Sequence, residues 1–209
     1  MIKILIADDH AVVRQGLKQI VATDEQMTVV GEASNGAELL GLTARLAVDV
    51  VVLDISMPGR NGLDTLKDLK RLHPTLAIIV LSMHPEDQYA VRALKAGAAG
   101  YMTKETAPEE LVVAIKKAYQ GGKYISPPVA ELLASYIENG INVDPHKALS
   151  DREFQVMCLL SQGHTVGQIS EELNLSVKTV STYRARIFEK MNLATNAELT
   201  RYALNHDLV

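Results

Sequence analysis

The sequence predicts an α/β doubly wound five-stranded parallel sheet followed by an all-α four-helix domain. Apolar runs of strand length alternate with helix-patterned segments through the first 120 or so residues. After Gly121-Gly122 the strand-like runs stop and capped helical patterns take over. A chain of 209 residues has room for two cores of roughly 100 residues each.

Ile2–Ala7, Val48–Leu53 and Ala77–Leu81 are β-branched and nearly continuous in apolar character, as strands covered on both faces must be. Met27–Ala33 and Ala98–Met102 are shorter signals of the same kind. Between and after them, Val12–Ala22, Gly36–Leu46, Leu63–Leu72, Asp87–Ala96 and Pro108–Tyr119 space their apolar residues three and four apart. Five β-then-α units follow, and crossovers of this length join parallel strands. Ser126–Gly140 opens on Pro127-Pro128 and closes on Asn139-Gly140, which predicts one linker helix. Asn142–Lys147 reads as open chain.

Ser150 with Glu153 forms a capping box that starts a helix ending at Gly163. Thr165 with Gln168 repeats the device for a helix to Leu173. Asn174-Leu175-Ser176 makes a tight turn, Ser176 caps a long helix to Met191, and Asn196–Asn205 makes the fourth.

Composition bounds the function. A net charge of −4 does not announce nucleic acid, so DNA binding has to rest on local charge. Cys158 is the only cysteine and sits among Met157, Leu159 and Leu160, which predicts a core thiol, excludes a disulfide framework or a cysteine metal site, and fits the cytoplasm. Two carboxylates within the first nine residues argue against a signal peptide, and no apolar stretch approaches the roughly 18 residues of a membrane span.

In doubly wound sheets ligands sit beyond the carboxyl ends of the strands. Here those ends carry Asp8-Asp9, Asp54, Ser82 and Lys104. Converging carboxylates repel unless a cation joins them, and an oxygen-only donor set favours Mg²⁺. With the ion bound, one carboxylate serves as nucleophile toward a phosphoryl group, Lys104 offsets phosphoryl charge and Ser82 donates a hydroxyl hydrogen bond. Any one acid at a strand end is commonly a solvated loop residue; five groups at the right ends coincide far less readily.

The Asp8-Asp9 pair, the Asp54-Ile-Ser-Met-Pro58 block with Gly62 after it, Ser82 and Lys104 together resemble the receiver domain of response regulators, a flavodoxin-like fold, over about residues 2–120. The resemblance implies that a sensor histidine kinase phosphorylates Asp54, and that Asp9, Asp54 and the Ser56 backbone carbonyl hold Mg²⁺ with Asp8 assisting. It also implies a switch pair, Ser82 and Tyr101: the new charge draws the Ser82 hydroxyl inward and leaves room for the Tyr101 ring. An aspartyl phosphatase would carry a second aspartate where Ser56 stands, and a Walker phosphate loop is missing, so a metabolic enzyme is not expected.

Val166–Leu173, a short turn, then Val177–Met191 has helix-turn-helix spacing. Val177, Val180, Ile187 and Met191 form one stripe that should face the core. The opposite face presents Lys178, Ser181, Thr182, Ala185 and Glu189, flanked by Arg184 and Arg186. Residues 148–209 carry six Lys and Arg against seven Asp and Glu, so the cations Lys178, Arg184, Arg186 and Lys190 make a stripe on a neutral domain. Leu149 to Glu153, Gly163, Ile169, Leu173, Ser176, Lys178-Thr179-Val180 and Met191 resemble the DNA-binding domain of LuxR-type regulators, and the whole chain resembles the NarL/FixJ class.

Two departures stand out. Gly167-Gln168 replaces the usual Asn-basic pair, and Ser170 replaces an alanine. The expected parts are a receiver over residues 1–121, a linker over 122–147 and a DNA-binding domain over 148–209, contacting double-stranded DNA through Lys178, Thr179, Ser181, Thr182, Arg184, Ala185, Arg186 and Lys190 as a homodimer. A pseudo-receiver controlled by protein binding without phosphorylation is the alternative.

Overall fold

The computed structural model describes residues 1–57, 62–83, 86–138 and 144–209. Pro58, Asn139-Gly140 and Asn142, used in the sequence reading, lie outside them. Two compact units divide the chain, Met1–Glu138 and Asn139–Val209.

The first unit alternates β1 (Ile2–Ala7), α1 (Ala11–Val21), β2 (Met27–Ala33), α2 (Gly36–Thr43), β3 (Val50–Asp54), α3 (Gly62–Leu72), β4 (Ala77–Ser82), α4 (Glu86–Lys95), β5 (Gly100–Thr103) and α5 (Ala107–Tyr119). All strand pairs are parallel, in the order β2-β1-β3-β4-β5. Every residue of β3 is buried, which is why its sequence is apolar without alternation. On one face Ile4, Ile6, Val50, Val52, Ile79 and Leu81 pack with Leu17 and Val21 of α1 and Leu111 and Ile115 of α5. The residues between them, Leu5, Val51, Leu53, Ile78 and Val80, point to the opposite face by the period of two and are equally buried. Strand β3 starts at Val50, two residues later than expected, because Asp49 turns its carboxylate back onto the Lys3 amide at 2.8 Å.

After α5 the chain returns beside β5, where Tyr124 bridges to Gly100 and its amide donates to Ala99 at 2.7 Å. Helix α6 (Pro127–Glu138) then packs on α4 within the same unit.

The second unit holds α7 (Asp151–Ser161), α8 (Val166–Glu172), α9 (Val177–Met191) and α10 (Asn196–Asn205). Both expected capping boxes are formed, Ser150 with Glu153 and Thr165 with Gln168, and Thr195 with Glu198 adds a third. Ser176 accepts the Thr179 amide at 3.0 Å, and Gly163 turns left-handed at φ +92° just past α7. Cys158 is in the core.

Two expectations are corrected. Pro145–Ala148 is a 3₁₀ turn rather than open chain, since proline presets φ and the Lys147 amide closes onto the Asp144 carbonyl at 2.8 Å. Val177 is 56% exposed while Val180, Ile187 and Met191 are buried. A three-residue step leaves Val177 roughly 60° off the stripe at the free end of the helix.

Candidate metal centre and nucleic-acid interface

Strand register assembles the acid site. Ala7 lies opposite Leu53, Asp54 opposite Leu81, and Ser82 opposite Thr103, so Asp8, Asp54, Ser82 and Lys104 emerge at one edge of the sheet. Asp8 and Ser82 are fully buried and Asp54 is nearly so. The Lys104 ammonium lies 2.7 Å from Asp8 Oδ2 and 2.8 Å from Asp54 Oδ2. Its backbone amide donates to the Ser82 carbonyl at 2.8 Å, which anchors it past the end of β5. Asp54 Oδ1 accepts the Ser56 amide at 3.0 Å, and Asp8 Oδ1 accepts the His10 amide at 2.8 Å. Arg14 donates to the Asp8 carbonyl at 2.7 Å.

Burial pushes the Asp54 carboxyl above its ordinary value in spite of Lys104, and the Asp8 charge adds to the rise. Burial would lower the Lys104 ammonium, but Asp54 and Asp8 outweigh it and hold it above its ordinary value. One shared ammonium thus offsets part of the cost of burying the Asp54 carboxylate.

Ligand-capable atoms of Asp8, Asp9, His10 and Asp54 lie within 4.8 Å of one another. Donors on opposite sides of a small divalent cation, at about 2.1 Å each, are about 4.2 Å apart, so a slight closure suits the cluster to such an ion. Asp8 Oδ2 and Asp9 Oδ1 are buried without a hydrogen bond of good geometry, although nitrogens lie 2.7 and 2.8 Å away. Those oxygens keep coordinating capacity. His10 was absent from the expected site; its place directly after Asp8-Asp9 was the available signal.

Tyr101 is 1% exposed on β5, so rotation of its ring requires its neighbours to move as well.

In the second unit, α8, a turn through Asn174 at φ +51°, and α9 form the helix-turn-helix. Lys178, Ser181, Thr182, Ala185, Arg186, Glu189 and Lys190 are exposed, and Thr179 and Arg184 half-buried. The cations differ in their engagement. Arg184 donates to Asn196 Oδ1 through Nε at 3.3 Å and Nη2 at 3.2 Å, and lies 5.0 Å over the Phe188 ring. Lys190 reaches Glu153 Oε2 at 2.6 Å, although its place on the helix suggested a DNA contact. Glu153 is 3% exposed; burial would raise its carboxyl, but Lys190 and the Ser150 cap outweigh this and hold it low. Gln168, at the departure from the usual pattern, turns back to accept the Thr165 amide at 2.8 Å, and the Ser170 hydroxyl donates to the Gly167 carbonyl at 2.7 Å.

Residues 4–116 match the family described as response regulator receiver domain, and residues 147–203 the bacterial regulatory proteins of the luxR family. The chain is a luxR-type response regulator. This regulator is 42% identical to the response regulator UvrY of Escherichia coli over 209 residues, covering all of this chain and 96% of that one. It is 41% identical to the response regulator GacA of Pseudomonas aeruginosa, covering all of this chain and 98% of that one. Among solved structures, RcsB of Salmonella enterica serovar Typhimurium, bound to promoter rprA with phosphomimetic BeF₃⁻, superposes with a TM-score of 0.68 at 30% identity, over 96% of this chain and 97% of that one. The regulator thus belongs to the NarL/FixJ class of two-component proteins and is a phosphorylation-controlled DNA-binding regulator of transcription. Among its described residues no helix is long and apolar enough to cross a membrane.

Proposed function

We propose that Asp54 takes the phosphoryl group from a phosphohistidine of a sensor kinase, and that this acyl phosphate controls how the second unit binds DNA. A carboxylate oxygen of Asp54 attacks phosphorus, the P–N bond to the kinase imidazole breaks, and that imidazole leaves with a proton from solvent. Asp8, Asp9, Asp54 and the Ser56 backbone carbonyl would hold Mg²⁺, which when bound neutralises charge on the transferring group. Lys104, between Asp8 and Asp54, is placed to follow the phosphoryl oxygens, and Ser82 to donate its hydroxyl to one of them. Tyr101 then rearranges with Ser82 and alters the α4 and β5 surface.

In this reading residues 1–121 are the receiver, 122–147 the connection and 148–209 the DNA-binding part. Double-stranded DNA is met by Lys178, Thr179, Ser181, Thr182, Arg184, Ala185, Arg186 and Lys190, and a homodimer places two helices on paired half-sites in the cytoplasm. The convergence of Asp8, Asp54 and Lys104 in one buried pocket carries the proposal.

Intact-mass measurement with acetyl phosphate and Mg²⁺ tests it. One phosphoryl group should add to the wild type and none to Asp54→Ala. Labelling of Asp54→Ala, or labelling of the wild type that ignores a chelator, would overturn it.

A further inference from the structure

His10 follows the two acids of the β1 end and turns its ring toward them. Its Nδ1 lies 2.8 Å from Asp9 Oδ1 and 3.3 Å from Asp8 Oδ1, on a side chain that is 65% exposed. Its backbone amide holds Asp8 Oδ1 at 2.8 Å, so the ring and the buried carboxylate share one short stretch of chain. The Asp9 oxygen it approaches is buried and has no well-directed hydrogen bond in spite of that short distance. Asp8, Asp9, His10 and Asp54 each offer a ligand atom, all within 4.8 Å of one another.

We infer that His10 Nδ1 is a nitrogen ligand for borderline divalent cations of the Zn²⁺ type at the acid site, and that it sets which metals compete there with Mg²⁺. The inference rests on the reading of this cluster as a divalent-cation site. Chemistry separates the two kinds of ion. Mg²⁺ takes oxygen ligands, keeps its waters and gains little from imidazole, whereas Zn²⁺ binds imidazole at about 2.0 to 2.1 Å and gains strongly from it. Exposure leaves the ring free to swing by its own two torsions, with no core residue to displace. The consequence is regulatory: a trace metal held by nitrogen would occupy the oxygens that Asp54 chemistry needs.

The test is calorimetric titration of the full chain with Mg²⁺ alone, and with Zn²⁺ alone, for the wild type, His10→Asn and Asp9→Asn, in the absence of any phosphodonor. Zn²⁺ binding is scored as the part that excess Mg²⁺ displaces, which sets aside other histidines. His10→Asn should weaken that Zn²⁺ binding about tenfold while changing Mg²⁺ less than about twofold. A Zn²⁺ loss that fails to exceed the Mg²⁺ loss by about fivefold overturns the role of His10. Failure of the wild type to bind Mg²⁺, or an Asp9→Asn variant that binds it equally well, would instead overturn the cation-site reading itself.

Discussion

Lys104 answers two buried carboxylates with a single ammonium, and the energetic consequences differ for the two sides of the contact. Asp54 has a folded-state value above its unfolded one, so its ionised form costs stability at neutral pH, and that cost fades as pH falls through the folded value. In chelator at neutral pH, Asp54→Asn should therefore melt a few degrees above the wild type by differential scanning calorimetry, whereas Lys104→Met, which strands two buried acids, should lose about 3 kcal/mol. A Lys104→Met protein as stable as the wild type would contradict the geometry.

Glu153 has the opposite sign. Its carboxyl is held below the ordinary 4.5, so its contribution is complete above that value and disappears as acid carries the pH down through the depressed one. Glu153→Gln should flatten the acid limb of thermal melts recorded between about pH 3 and pH 7 and lower stability at neutral pH. The same contact engages Lys190. Lys178→Gln and Arg186→Gln should each reduce the salt slope of DNA affinity by about 0.9, and Lys190→Gln should reduce it by less, because its ammonium is shared with Glu153.

Elements set those residues through their ends. Gly62 opens α3 so close to the loop after Asp54 that an added Cβ would lie 2.5 Å from the Ile55 Cα and 2.7 Å from the Asp54 carbonyl oxygen. That contact is with backbone, so Gly62→Ala should destabilise by about 1 to 3 kcal/mol in urea unfolding and displace the phosphoacceptor loop. Glycine is required there by contact, not by an unusual φ.

Most of this was legible in sequence because it is local. Ser150 with Glu153 and Thr165 with Gln168 announce their own helix starts, and the apolar strands announce a sheet covered on both faces. The errors arose where tertiary contacts decide. Asp49, just before β3, bonds Lys3, 46 residues away, and Val177 lies roughly 60° off the apolar stripe at the start of α9. The Lys190 contact was out of reach for the same reason: nothing in α9 alone says that Glu153 lies beside it.

At the scale of the molecule, the acid pocket and the helix-turn-helix belong to separate compact units, so control of one by the other is a coupling between two distinct sites. The pocket was foreseeable as a meeting of strand ends, since parallel topology brings every β-to-α loop to one edge. His10 escaped notice because an exposed histidine in a loop resembles any solvated residue until its ring is seen against Asp9. The DNA surface is modest: Lys178 and Arg186 are the exposed α9 cations with no ion partner among the described residues, and two such helices on paired half-sites add what one lacks. The most direct measurement is DNA affinity of the full chain with and without acetyl phosphate, for the wild type and for Asp54→Ala. Binding should tighten with the phosphodonor in the wild type alone; equal affinity in all four conditions would contradict control through Asp54.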